Sequence, residues 1–228
     1  MRYSSKEIKR ALLKYDTKEF IVEIDQNLEL KIVGSVDAYA LLDRLIEKEE
    51  NCHNVTRFPY WAEVWPASLG MSKWFKEHNL ATGQALELGC GLGLVGITLT
   101  RLGWIVHATD YVEDALIFSA YNAERNGIVL NYNVSYLDWR HPVGSSYDCL
   151  IGSDIAYERN NHPYLNKVLS SLLKPGGRFY LSDPQRPVVR SFISGLKDRG
   201  YAHQQDGLSV RWQKLEHHID IHTFEKPF

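Results

Sequence analysis

Gly89, Gly91 and Gly93 stand at alternate positions, and Glu87 precedes the first of them by two residues. An apolar run leads into these glycines and a helical pattern follows at once, which predicts a buried strand, a tight turn and a helix start. Positions without side chains let a ligand approach the backbone, and the helix start offers free N–H groups. Gly91-Leu92-Gly93-Leu94-Val95-Gly96 also spells the dinucleotide fingerprint G-x-G-x-x-G, so two ligand classes fit the glycines. Glu87 separates them. A carboxylate at the strand end would repel a pyrophosphate, whereas a sulfonium and an ammonium, the charges of S-adenosylmethionine, would be drawn to it. The acidic partner expected about 20 residues further on is Asp110, which closes the run Trp104–Thr109 and can accept both ribose hydroxyls. Cys90 within the turn and Tyr111 beside Asp110 fall among the same contacts. A glycine turn without a ligand is the plainer alternative.

A second constellation is Ser153-Asp154-Ile155-Ala156-Tyr157, a D-x-x-Y pattern that follows a predicted strand. Its placement is similar to the Asn/Asp-Pro-Pro-Tyr loop of enzymes that methylate nitrogen. Methyl transfer is an in-line displacement, so the chief demand is to hold a neutral amine in line. A carboxylate can orient that amine and ease proton loss, while a tyrosine ring walls the channel and favours a cation. The alternative has Asp154 capping a turn and Tyr157 packed in the core. Asp138-Trp139, after an earlier strand, is placed for an adenine, with the carboxylate on the exocyclic amine and the indole on the ring. A turn-capping aspartate is the competing reading. The run Phe58–Ser68 is rich in aromatics. If its loop returns over the ligand mouth, Trp65 is the preferred cofactor contact and Trp61 the second; otherwise both are core.

The elements that must carry these residues alternate. From Gln84 onward, strands ending near Leu88, Thr109, Leu137, Ser153 and Ser182 are separated by helices near 94–102, 112–126 and 162–173. The last of these helices stops at Lys174-Pro175-Gly176-Gly177. Strand and helix in strict turn imply a parallel sheet wound on both faces, with ligands outside the carboxyl ends of its strands. After a helix near 187–199, residues 207–212 and 217–224 read as a closing antiparallel pair. Ahead of the glycine turn, Pro66 suits a helix start, and an aromatic strand is expected before it. Residues 4–15 form an amphipathic helix, 20–24 and 28–33 a hairpin, and 36–49 a further helix. The fold expected is therefore α/β: a doubly wound, mostly parallel, seven-strand Rossmann-like sheet with a C-terminal antiparallel hairpin. Residues 1–55 are an N-terminal helix/hairpin extension and 56–228 the catalytic domain. The extension either covers the active site or only packs against it.

At 228 residues, with 44% hydrophobic and 24% charged residues, the chain can bury a full core. A net charge of −2 without a basic run argues against a nucleic-acid partner. No stretch approaches the ~20 apolar residues of a membrane span, and the first residues lack the apolar core of a secretory signal. The three cysteines, Cys52, Cys90 and Cys149, have no metal or disulfide spacing, so a reducing, cytoplasmic setting is expected. His217 and His218 would point to opposite faces of a strand, and His218 and His222 would lie roughly 13 Å apart. No metal site is expected. No residue pattern sets an oligomeric state.

Four segments together carry a family resemblance: the E-x-G-x-G-x-G turn, Trp61-Ala62-Glu63-Val64-Trp65-Pro66, Asp154-Ile155-Ala156-Tyr157 and Ser182-Asp183-Pro184-Gln185-Arg186-Pro187. The chain resembles the class I (seven-strand) S-adenosylmethionine methyltransferases of the family-16 protein-lysine type. Within them it is most similar to the branch acting on the electron-transfer flavoprotein β subunit. The resemblance covers residues 57–201. It implies S-adenosyl-L-methionine bound by Trp65, Glu87, Gly89, Gly91, Gly93, Asp110 and Asp138, and a lysine of a protein substrate served by Asp154 and Tyr157. Asp183 and Arg186 match a segment placed at the substrate mouth. Glu87 stands where that branch often has Asp, and the N-terminal hairpin departs from its pattern. A small-molecule N- or O-methyltransferase with the N-terminal segment as a lid is the alternative.

Overall fold

Short runs such as Ala85–Leu88, apolar but for Glu87, and Cys149–Ile151 are buried on both faces, and the sheet forms around them. The computed structural model describes residues 3–36, 59–128 and 130–228. The helix expected over 36–49 lies almost wholly outside these residues, as does Cys52. Three elements open the chain. Helix α1 (Ser5–Leu12) begins at Ser4 with a capping box: the Glu7 N–H donates to Ser4 Oγ at 3.3 Å and the Ser4 N–H to Glu7 Oε2 at 2.7 Å. Strands β1 (Thr17–Asp25) and β2 (Leu28–Ser35) then pair antiparallel as a sheet of their own. Val22, Ile24, Leu28, Leu30 and Ile32 face inward at period two.

The aromatic segment expected as a strand is instead a 3₁₀ turn (Tyr60–Ala62) running into helix α2 (Pro66–His78). Pro59 and Pro66 each lack the N–H a strand ladder needs, and Pro66 occupies the first turn of α2, where no donor is missed. The rest alternates as expected: β3 (Gln84–Leu88), α3 (Leu94–Arg101), β4 (Ile105–Asp110), α4 (Glu113–Arg125), β5 (Tyr132–Tyr136), β6 (Tyr147–Ser153), α5 (His162–Leu172), β7 (Leu173–Asp183) and α6 (Val189–Asp198). Strand β7 begins at Leu173, so Lys174–Gly177, expected only to stop a helix, already belongs to the sheet. Two backbone bonds of 2.9 Å, Gly176 N–H to Lys226 O and Lys226 N–H to Gly177 O, tie this stretch to the last residues. The chain closes with β8 (Ala202–Trp212) and β9 (Leu215–Glu225), joined by Gln213 and Lys214, both at positive φ.

The seven strands lie in the order β5-β4-β3-β6-β7-β9-β8, parallel except for β9, which is antiparallel to both of its neighbours. Connections leave β3 in one direction and β6 in the other, so a crevice opens between the carboxyl ends of these two strands. Both glycine turn and D-x-x-Y loop sit there.

The N-terminal hairpin is held to the sheet's helices by side-chain amides. Asn126 Oδ1 accepts from the Lys31 N–H at 2.9 Å and its Nδ2 donates to Lys31 O at 2.8 Å. One helical turn earlier, Asn122 Oδ1 accepts from the Val33 N–H at 2.8 Å and its Nδ2 donates to both Val33 O and Leu92 O at 3.0 Å. Residues i and i+4 of a helix are spaced about 6 Å along its axis and alternate residues of a strand about 6.8 Å. Two asparagines can therefore pair an open strand edge as a neighbouring strand would. The ladder ends on Leu92, inside the glycine turn.

Candidate active site

The carboxyl ends of β3, β4 and β6, with the Tyr60–Ala62 turn folded over them, line a cleft of about 340 Å³, within the usual range for small-molecule sites. The glycine turn is its floor. Gly91 has φ +51°, and a Cβ there would stand 3.3 Å from the Trp61 carbonyl oxygen; Gly93 has φ +85°, and a Cβ there would stand 2.6 Å from Ser119 Oγ. Both positions are closed to other residues. The turn is fastened by β4: the Cys90 N–H donates to Thr109 O at 2.9 Å, and Asp110 takes the Gly91 N–H on Oδ2 at 3.1 Å and the Val112 N–H on Oδ1 at 3.0 Å. Asp110 is thus first a clamp on the turn. Each of its oxygens keeps a lone pair for a ligand hydroxyl. Burial raises its pKa above the usual carboxylate range, against the pull of those N–H groups.

Glu87 is buried in the wall of this cleft, and its Oε2 has no hydrogen-bond partner. Burial, with a smaller contribution from Asp110, pushes its pKa up to about 8, while the Gly96 N–H pulls the other way. An orphaned buried carboxylate costs free energy unless a donor or cation meets it. A cationic ligand satisfies that requirement, so the residues fit the group that the glycine turn suggests. Cys90 is also buried here, its thiol raised well above its ordinary pKa by burial and by Asp110 and Glu87, hence an unreactive filler.

Trp139 and Tyr111 line the cleft, and Trp139 approaches Gly89 closely enough that a Cβ there would lie 3.5 Å from its ring. Asp138 is not among the lining residues. Its carboxylate accepts the Arg140 backbone N–H at 2.9 Å and is gripped by the Arg140 guanidinium at 2.7–2.9 Å, which lowers its pKa to about 2. An arginine two residues on makes this aspartate a turn residue, the alternative that Asp-Trp left open. Trp65 lines the cleft and donates Nε1–H to Tyr60 O at 2.6 Å. Trp61 lends the cleft its backbone, while its ring packs edge-on against Tyr15 and Phe118 at centroid distances of 5.3 Å.

On the opposite wall, Asp154 adopts φ +51° and its N–H donates to Ser182 O at 2.8 Å. Its carboxylate receives Arg186 Nε–H on Oδ1 and Nη2–H on Oδ2, each at 2.6 Å. Tyr157 stands beside it, with its ring centroid 5.2 Å from that of Tyr60; burial raises its hydroxyl pKa. Tyr60 in turn lies 5.9 Å from Trp65. Tyr60, Trp65 and Tyr157 thus form one continuous aromatic wall. Asp183 is set behind the cleft rather than in it: Oδ2 accepts the Arg186 backbone N–H at 2.8 Å, Oδ1 has no partner, and burial pushes the pKa up to about 6. Sequence reasoning missed Tyr60, Glu63 and Glu158, which also line the cleft. For Tyr60 the only available signal was its place in an aromatic run bounded by prolines.

Among the described residues no three or more His, Cys, Asp or Glu are arranged to hold a metal ion. His222 meets His203 instead, with 3.1 Å between ring nitrogens. No described helix is long and apolar enough to cross a membrane.

Comparison with known proteins places this cleft in context. EEF1A lysine methyltransferase 3 of Xenopus tropicalis is 33% identical over 131 residues, covering 55% of this chain and 58% of that protein. A ubiquinone biosynthesis O-methyltransferase of Xanthomonas euvesicatoria is 27% identical over 137 residues, covering 56% of this chain and 57% of the relative. The chain thus spans little more than half the length of these relatives. The N-methyltransferase NodS of Bradyrhizobium japonicum, solved with S-adenosyl-L-homocysteine, shares the fold with a TM-score of 0.59 at 13% identity, over 84% of this chain and 99% of that one. The fold is that of the class I methyltransferases. Residues 45–198, which include the glycine turn, the aromatic wall and the Asp154–Arg186 pair, match the lysine methyltransferase family, and the chain belongs to that family.

Proposed function

We propose that the protein transfers a methyl group from S-adenosyl-L-methionine to a lysine side chain of a protein. The observation that carries this reading is the buried Glu87, whose Oε2 has no partner, in a glycine-floored cleft whose other wall is Asp154 with Tyr60 and Tyr157. When bound, S-adenosylmethionine supplies a methyl group on a positively charged sulfur. Glu87 meets the cofactor's cationic end and is thereby ionised. Asp110 keeps the turn open and offers its remaining lone pairs to the ribose, and Trp139 gives the adenine an aromatic surface. Across the cleft, an Asp154 oxygen accepts an N–H of the acceptor amine and fixes the direction of its lone pair. Tyr60, Trp65 and Tyr157 surround the aliphatic stem of the lysine and exclude water from the reacting end.

A small-molecule acceptor is the second reading, favoured by the similarity to an O-methyltransferase. Against it, none of the described N-terminal residues 3–36 lines the cleft as a lid would. Incubation of the protein with labelled S-adenosylmethionine and a cell lysate distinguishes the two: the proposal expects label in protein bands, released as methyl-lysine on hydrolysis. Asp154→Ala is expected to bind S-adenosylhomocysteine with an affinity within threefold of wild type while losing at least a hundredfold in transfer. Label confined to small molecules, or an Asp154→Ala variant that transfers at the wild-type rate, overturns the assignment.

A further inference from the structure

A lysine reaches any protein surface as an ammonium, with an unperturbed pKa near ~10.4, and an ammonium has no lone pair with which to attack. A lone carboxylate beside it makes matters worse, because an opposite charge within about 4–6 Å favours the protonated form by roughly 1–3 pKa units. Asp154 does not stand alone. Nε and Nη2 of Arg186 each donate to one of its oxygens at 2.6 Å; the Asp154 side chain is only 8% exposed, while Arg186 keeps 38% of its side chain in water.

Both partners are held in place by the same strand end. The Asp154 N–H donates to Ser182 O at 2.8 Å, and the Arg186 N–H donates to Asp183 Oδ2 at 2.8 Å. Gln185, between Asp183 and Arg186, is at φ +62°, a conformation that residues with side chains adopt only when their surroundings require it. Asp154 shares the left-handed region at φ +51°. Two backbone positions under constraint converge on one ion pair, and both of its residues line the cleft.

We propose that Arg186 is a positioning residue that presents Asp154 to the acceptor already neutralised, so that the cleft receives a free amine rather than an ammonium. The inference rests on the lysine-methylation reading above and adds to it the protonation state in which the substrate is taken. The guanidinium occupies one lone pair of each Asp154 oxygen and leaves the others to accept an amine N–H. Its own charge disfavours a second cation close by. The acceptor's extra proton leaves to solvent before transfer, and no side chain has to receive it.

The other charged and titratable groups facing the pair are Tyr157 and Glu158 on the same loop, Tyr60 and Glu63 on the overlying turn, Tyr111 after β4, and Asp183 at the end of β7, which itself faces Asp220 of β9. Asp183 titrates near 6, so the relevant limb is read above pH 7, and Glu87, raised to about 8 by burial, is kept ionised across that window by saturating S-adenosylmethionine.

The test uses the full chain, labelled S-adenosylmethionine, and dialysed total lysate protein as acceptor, with transfer rates measured from pH 7 to 10. Wild type should show a rate that rises with pH to a plateau. Arg186→Gln should move that limb upward by about one pH unit, about tenfold in rate at pH 7.5, without raising the lysate concentration needed for half-saturation. Arg186→Lys, which keeps the charge but not the fork, should fall between. Asp154→Asn/Arg186→Gln, which removes both charges, should return the limb towards its wild-type position at a lower plateau. Calorimetry with S-adenosylhomocysteine is expected to show unchanged cofactor affinity in all three. An Arg186→Gln limb that stays in place, or a double variant displaced as far as the single one, overturns the proposal while leaving the methyltransferase reading intact. Absence of label in protein with the wild type removes both.

Discussion

Asn122 offers the sharpest measurement of how the N-terminal hairpin and the cofactor turn depend on each other. Its side chain is fully buried and makes three hydrogen bonds, to Val33 N–H, Val33 O and Leu92 O, at 2.8–3.0 Å. Asn122→Ala removes all three and leaves three buried backbone groups without partners. A net contribution of about 1 kcal/mol per bond, with an added penalty for stranded groups, gives a loss of about 3–5 kcal/mol. That is a large fraction of the stability of an ordinary domain, about 5–15 kcal/mol. Asn126→Ala is the matched control. It breaks two bonds to Lys31 at a solvent-exposed place and one of 2.7 Å from Nδ2 to Asn122 O, where water can substitute more readily than at Asn122, so about 1–2 kcal/mol is expected. Urea unfolding followed by fluorescence, with and without S-adenosylhomocysteine, gives both numbers. Only Asn122 reaches Leu92, so only its variant should also weaken cofactor binding, by tenfold or more. Equal losses for the two variants, or a cofactor affinity indifferent to Asn122, would refute the coupling.

Three further outcomes follow from Glu87 and Gly96. With its folded-state pKa raised from 4.5 to about 8, Glu87 holds a proton in the folded protein that the unfolded chain has lost, so cofactor-free stability should fall as pH rises between these values and level off above about 8. Glu87→Gln should reduce that slope, leaving the parts contributed by Asp110, whose pKa burial also raises, and by Asp183 between 3.8 and about 6. Cofactor binding should ionise Glu87 and release a proton near pH 7, so calorimetric heats should differ between phosphate and Tris buffers; identical heats would count against the ionisation. Gly96→Ala places a methyl group against Glu87 Oε2 and 2.9 Å from Tyr132 Cε2, so it should weaken S-adenosylhomocysteine binding at least tenfold even though alanine is the better helix former. Wild-type binding by that variant would mean Glu87 has room that the structure denies it.

The sheet was legible because its strands are written as short apolar runs closed by acids or glycines, and each closing residue falls at the same edge. Glu87, Asp110 and Asp154 could be placed by that rule alone. Contacts between residues distant in sequence could not. Arg186 lies 32 positions from Asp154, and no local pattern announces that they pair. The same holds for Asn122 and Val33, 89 apart, although two asparagines four residues apart in a predicted helix are a hint that can be checked elsewhere. A strand-end aspartate does not show by itself that the arginine two residues later pairs with it, as Arg140 does with Asp138 outside the cleft lining. Prolines on either side of Tyr60–Val64 outweigh the aromatic content that suggests a strand. The Gln213–Lys214 turn lacks the glycine or asparagine that usually marks a two-residue hairpin, so nothing local in the sequence shows that pairing runs up to Trp212 and Leu215.

The two hairpins lie outside or at the margins of the stretch matched to the family, yet they touch: the Phe20 ring of the first is 6.0 Å from the Trp212 ring of the second. Lys73 of α2 also reaches across to Ile24 O at 2.9 Å. The molecule's most distant segments therefore lock like the ends of a bracelet around the helix that begins at Pro66. Trimming the gene to its recognisable middle would strip both halves of that clasp, bare the apolar inner side of α2, and yield a product prone to clump rather than a minimal enzyme.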